Sequence, residues 1–150
     1  MYKYEFLNYL DSLIADAQTG ILATVDENGR PKMRWMTPTT LKDRQGFIYC
    51  VAAKSSKKID ELNKNPRVEW MIQSRALDRI INIKGYVNII DNPSMRTEIL
   101  DAIGRRLNVF WKINFEDTEF VVLETVLEEA VYFEPMKGRT EKIYFGEEDK

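Results

Sequence analysis

The dipeptide Asn28-Gly29 stands between two apolar-rich runs, GILATV and KMRWM, and this is a strong signal for a β-hairpin. Asn-Gly accepts the positive φ angles of a tight strand-to-strand turn, so the flanking runs pair antiparallel. The pattern recurs along the chain. A second turn, KDRQG, precedes the apolar strand FIYCVAA. RVEWMIQ alternates, with Val68, Trp70 and Ile72 on one face and Arg67, Glu69 and Gln73 on the other. RIINIKGYVNII turns Ile81, Ile83, Val87 and Ile89 inward, with Gly85 as a bulge or bend. FVVLETVLEEAVYFEP makes one long strand or two short ones, RTEKIYF makes a last strand, and NVFWKINFEDTE is irregular and aromatic-rich. Hairpin-length turns without contiguous βαβ units predict a largely antiparallel sheet. Its six or seven strands can close on themselves as a barrel.

Three helices interrupt the strands. Phe6, Leu10, Leu13 and Ala17, with Leu7 and Ile14 beside them, recur at helical spacing, so the N-terminal helix lies within residues 1–18, with Gly20 as its stop. Asn92-Pro93 opens another helix, with Met95, Ile99, Ile103 and Leu107 as its buried stripe. Between them lies KSSKKIDELNKNP, Lys54 to Pro66, where Ser55 or Ser56 can N-cap, Ile59 and Leu62 form the buried face, and Pro66 ends the helix. A helix N-terminus already favours anions, so Lys54, Lys57 and Lys58 at this one call for something negative. A phosphate would satisfy them, although such a cluster is more often a solvated helix end.

At 150 residues the chain reads as one domain, 1–150, with a frayed tail over 146–150. A formal net charge of −2 argues against a nucleic-acid binder and makes the local basic cluster a pocket for a small anion. There is no histidine, which excludes His-ligated metals and Ser-His-Asp triads, and the one cysteine, Cys50, reads as an inert packing residue. The amphipathic N-terminus is not a signal peptide and no run approaches transmembrane length, so a cytoplasmic protein with no membrane partner is expected.

Arg34 is the second informative residue. It is expected outward, on a strand paired with the one that feeds the lysine helix. There it meets either the same phosphate, bidentately, or a surface acid. Trp35, Trp70 and Trp111 are candidates for stacking on a planar ring, though aromatics in strands usually serve the core. Pro38 weakens its ladder and marks an edge. No acid–base pair stands out, so any catalysis would be carried by a bound cofactor.

The succession GILATVDENGRPKMRWMTPT, GFIYCV, SSKKIDELNKNPRVEWMI and IINIKGYVNII resembles the pyridoxamine 5′-phosphate oxidase-like, FMN-binding split-barrel family, and its short general-stress-protein-like branch most closely. The resemblance covers roughly residues 5–135. It implies a six-stranded split β-barrel, a homodimer with FMN at the interface, and a small-molecule electron donor or acceptor. By position it assigns Arg34 to the FMN phosphate, and Trp35, Met36 and Thr37 to the strand lining the flavin. Cys50 and Val51 fall near the pair that touches the flavin from the next strand. Ser56, Lys57 and Lys58 match the serine–arginine–lysine phosphate grip, with lysine for arginine at Lys57, which loses the bidentate fork. Trp111 would reach the partner subunit's flavin.

The departures bear on activity. The oxidases carry a lysine where this chain has Thr39, a glutamine at the flavin pyrimidine edge where it has Ile80, and a closing arginine–histidine motif that this chain lacks. A flavin oxidoreductase of unknown substrate is therefore expected rather than a genuine pyridoxamine phosphate oxidase. A non-catalytic flavin-storage module and a split barrel for a deazaflavin cofactor are the alternatives, with haem disfavoured by the missing histidine.

Overall fold

The computed structural model describes residues 1–104 and 119–146. In chain order the elements are α1 (Lys3–Ala17), β1 (Gly20–Val25), β2 (Pro31–Met36), β3 (Thr39–Leu41), β4 (Arg44–Ala53), α2 (Lys57–Lys64), β5 (Arg67–Gln73), β6 (Ile80–Ile90), α3 (Pro93–Ile103), β7 (Phe120–Glu134) and β8 (Arg139–Tyr144).

Every pairing is antiparallel, and the order is β2-β1-β5-β6-β7-β4-β3, with β8 also on β7. The two ends of that order, β2 and β3, are consecutive in the chain and joined only by Thr37 and Pro38. Laid flat, seven strands would hold their edges roughly 29 Å apart. The step from Met36 to Thr39 spans at most about 11 Å. The sheet must therefore roll until its edges approach at the Thr37-Pro38 corner. This makes it a split barrel.

Among the described residues, eight strands replace the expected six. The three-residue β3 is too short to show periodicity and is held by the turn to β4. The stretch Phe120–Glu134 is one strand whose first half pairs β4, whose second half pairs β8, and whose length runs along β6. A register shift between Lys84 and Gly85 confirms the expected bulge. A Cβ on Gly85 would lie 2.1 Å from the Val126 carbonyl oxygen, which is why only glycine fits.

β5 follows its alternation residue by residue, Val68, Trp70 and Ile72 being buried. Helix α1 turns Phe6, Leu10, Leu13 and Ile14 inward, and α2 adds Ile59 and Leu62 to the same core as Leu22, Trp70 and Ile83. Burying each such side chain contributes about 1.5–3 kcal/mol. Helix α3 covers the sheet's outer face, with Ile99 and Ile103 on Tyr49, Val51 and Val122. Its first turn is capped by the Asn92 side chain, which accepts from Met95 N–H at 2.9 Å. Leu107 and most of NVFWKINFEDTE, expected in the helix stripe and an irregular segment, lie outside the described residues, as do residues 147–150.

Gly20 is not the stop signal of α1. The left-handed residue there is Gln18, whose N–H reaches the Ile14 carbonyl at 2.8 Å. Gly20 instead lets β1 run close to the core, because a Cβ would come within 3.0–3.2 Å of Ile72 and Trp70.

Candidate functional site

Strand β4 delivers the chain into α2, and β2 reaches the same end of the barrel through its pairing with β1. Arg34 does not point outward as expected. It shares the inward face with buried Met36 and is half-buried, because β2 sits against β1 and α2 rather than in open solvent. Its Nη1 donates to Thr24 Oγ1 at 2.7 Å and to the Leu22 carbonyl at 3.4 Å, and its Nη2 donates to Glu61 Oε1 at 3.3 Å. Thr24, fully buried, donates in turn to the same Glu61 oxygen at 2.8 Å. The acid partner foreseen for Arg34 thus exists, on α2 itself and partly shielded from water.

Lys58 projects from the first turn of α2 into this group. Burial, first, and the Arg34 guanidinium, second, pull its ammonium below the usual lysine value, while Cys50 and Glu61 act in the other direction. A cation held next to another cation in a half-buried position is short of negative charge. Cys50 lies inside the barrel, and burial pushes its thiol up to about 12, only partly offset by Lys58. It is an unreactive packing residue.

Ser56 occupies the N-cap position of α2, yet its hydroxyl makes no capping bond. Its Oγ is buried and has no hydrogen-bond partner among the described residues. Such an orphan ordinarily costs about 1–3 kcal/mol, so a buried hydroxyl beside Lys57 and Lys58 fits an acceptor-rich ligand group. Lys57 is exposed on the rim of a cleft of about 260 Å³ between α2 and the β1–β2 turn, where Lys32 and Lys64 face Asp26, Glu27, Asp60 and Glu61. Lys54 does not join the cluster. It donates to Asp91 at 3.0 Å on the side of α3.

The remaining sequence candidates divide between faces. Trp35 is 52% exposed and lies on the outer face of β2, so the core role expected of strand aromatics fails there and holds for Trp70, which is fully buried. Ile21 is paired with both Trp35 and Met71, and the three make an exposed apolar row beside a groove of about 330 Å³. Thr37 is half-buried at the corner between β2 and β3. Cys50 and Val51 face opposite ways, one into the barrel and the other under α3, so their side chains do not line one surface together. Trp111 lies outside the described residues. Sequence reasoning missed Thr24 and Glu61. Thr24 was detectable as a polar residue on the inward face of β1, and Glu61 as the acid one helical turn beyond Lys58.

A rolled antiparallel sheet with a serine-led basic helix at its mouth defines a split-barrel protein. The family described as pyridoxamine 5′-phosphate oxidase matches residues 8–133, and the chain belongs to that family. A pyridoxine/pyridoxamine 5′-phosphate oxidase of Burkholderia mallei (strain SAVP1) is 32% identical over 82 residues, 55% of this chain and only 37% of that protein. Among solved structures, a Clostridium acetobutylicum protein related to general stress protein 26 of B. subtilis (pyridoxinephosphate oxidase family) superposes with a TM-score of 0.75 at 13% identity, covering 96% of this chain and 97% of that one. A pyridoxamine 5′-phosphate oxidase-related, FMN binding protein from Nostoc punctiforme PCC 73102 gives 0.66 at 13% identity, over 98% of both chains. An F420 reductase gives 0.62 at 16% identity, over 80% and 94%. At identities this low, these superpositions show the shared fold alone.

Proposed function

We propose that the protein is an FMN-binding oxidoreductase that works as a homodimer. The observation that carries this reading is the orphaned Ser56 hydroxyl beside a lysine, Lys58, that is itself short of negative charge. A phosphate supplies what both lack. Ser56, Lys57 and Lys58 would hold it from α2 and Arg34 from β2, through charge-assisted hydrogen bonds. Bound FMN would supply hydride or electron transfer between small-molecule partners, and the chain's own residues would bind, orient and shield it.

The cleft beside α2 has Lys57 on its rim but is lined also by Asp26, Glu27, Asp60 and Glu61 and reaches none of Ser56, Lys58 and Arg34, so the phosphate is placed on those three residues rather than in that cleft. The ring needs another wall. The exposed row of Ile21, Trp35 and Met71 is apolar surface that a second copy of the chain would cover. Thr39 and Ile80, in place of the oxidases' lysine and glutamine, support a substrate other than pyridoxamine phosphate.

A deazaflavin cofactor is the second reading. The resemblance in fold to an F420 reductase favours it, and the same basic cluster would serve its phosphate. Absorbance of the purified protein, followed by heat release and mass determination of the chromophore, separates the two. Oxidised-flavin bands with the mass of FMN are expected. A colourless protein that does not take up added FMN overturns the proposal.

A further inference from the structure

Arg34, Thr24 and Glu61 form a closed ring. Arg34 Nη1 donates to Thr24 Oγ1 at 2.7 Å, Thr24 donates to Glu61 Oε1 at 2.8 Å, and Arg34 Nη2 donates to that same oxygen at 3.3 Å. The ring joins β2, β1 and α2. We infer that Thr24 and Glu61 are positioning residues, which fix the Arg34 fork so that its remaining donors face a phosphate held by α2. The inference rests on the proposed FMN phosphate site.

Three features favour positioning over simple structural pairing. Thr24 is fully buried on the inward face of β1, two residues beyond the core residue Leu22, and its hydroxyl is engaged by both Arg34 and Glu61. Guanidinium has five N–H donors and the described partners engage at most three, so donors remain for an anion. Glu61 lies on the helix that carries Lys58, which makes the ring a spacer setting the distance between the two cations. A free arginine side chain loses rotamer entropy when it is immobilised. The ring meets that cost at folding rather than at binding.

The test compares FMN with riboflavin, which lacks the phosphate, by fluorescence titration of the full chain. Thr24→Val removes both the hydroxyl that accepts from Arg34 and the proton given to Glu61. It is expected to lower the melting temperature of the ligand-free protein, as the loss of two buried hydrogen bonds must, and to weaken FMN about tenfold while riboflavin affinity changes less than twofold. Thr24→Ser, which restores the hydroxyl, is expected to recover FMN affinity to within about twofold. Glu61→Ala should reproduce the selective loss for FMN. If Arg34→Ala weakens FMN but Thr24→Val and Glu61→Ala do not, the positioning role is overturned and the phosphate site stands. If the wild-type protein binds FMN no better than riboflavin, the phosphate reading fails and the positioning role with it.

Discussion

Trp70 donates its indole N–H to the Thr125 hydroxyl at 3.0 Å, with both side chains buried inside the barrel. The bond links β5 to β7 over the intervening β6, a pair of strands that share no ladder. An indole is a donor with one proton, and removing its acceptor leaves that proton unpaired in an apolar interior. Thr125→Val, close to isosteric, should lower stability by about 1–3 kcal/mol, read as a shift in urea midpoint at constant slope. Thr125→Ser should retain most of the stability.

Gly85 bears a different constraint. The atom that an added Cβ would meet at 2.1 Å is backbone, fixed by the β6–β7 ladder, so no rotamer change relieves it. Gly85→Ala is expected to cost about 3 kcal/mol, the upper end for overpacking. A thermal unfolding curve that matches the wild type would refute the close approach.

Ser56 should show opposite signs in two measurements. Ser56→Ala deletes a buried hydroxyl with no hydrogen-bond partner among the described residues, so the ligand-free protein should be equally stable or gain up to about 1 kcal/mol. FMN affinity should fall by roughly tenfold, the loss of one hydrogen bond to a charged group. Loss of stability without loss of affinity would mark Ser56 as a structural cap only.

Lys57→Ala together with Lys58→Ala should weaken FMN by about 2–4 kcal/mol by titration, allowing for incomplete additivity. Lys58 also sets a pH dependence. Burial and then Arg34 lower its pKa from 10.5, so in the window between that lowered value and 10.5 the unfolded chain binds more protons than the folded one. Across that window stability rises with pH, and below it the penalty of a buried charge is present in full. FMN affinity should run the other way. It should decline as pH climbs through the lowered value, while riboflavin affinity provides the control. Lys58→Arg should hold FMN affinity to higher pH.

The apolar row on β1, β2 and β5 makes the assembly testable. A stable homodimer should bury more than about 1,200 Å² in total. Met71→Glu places a charge at one end of the row, beside Ile21, and should raise the dimer dissociation constant at least a hundredfold by light scattering. A wild-type protein that is monomeric at micromolar concentration would remove the second wall of the proposed flavin site.

Periodicity reported the strands faithfully wherever one face was buried and the other was wet. In β5 every second residue is buried, as its alternation requires. It could not report β4, where six consecutive residues from Ile48 to Ala53 are buried because α3 covers the face that alternation would leave in water. Nor could it report β3, whose three residues hold no period. Arg34 was recognised from its place in the chain but assigned the wrong direction. A β2 residue's surroundings depend on where α2 comes to rest, and nothing within β2 encodes that.

Local residues by themselves determined the hairpin at Asn28-Gly29, the antiparallel class and the capped start of α3. Each depends on backbone preferences and neighbours a few positions away. The tertiary structure alone decided that the sheet's two edges meet at Thr37-Pro38 and that Trp35 and Trp70 have opposite fates. It also brought Thr24, Arg34, Lys58 and Glu61, spread over 38 positions of sequence, to one end of the barrel. Chain closure and long-range packing set those relationships, because they depend on how distant segments share one core rather than on the residues that flank each position.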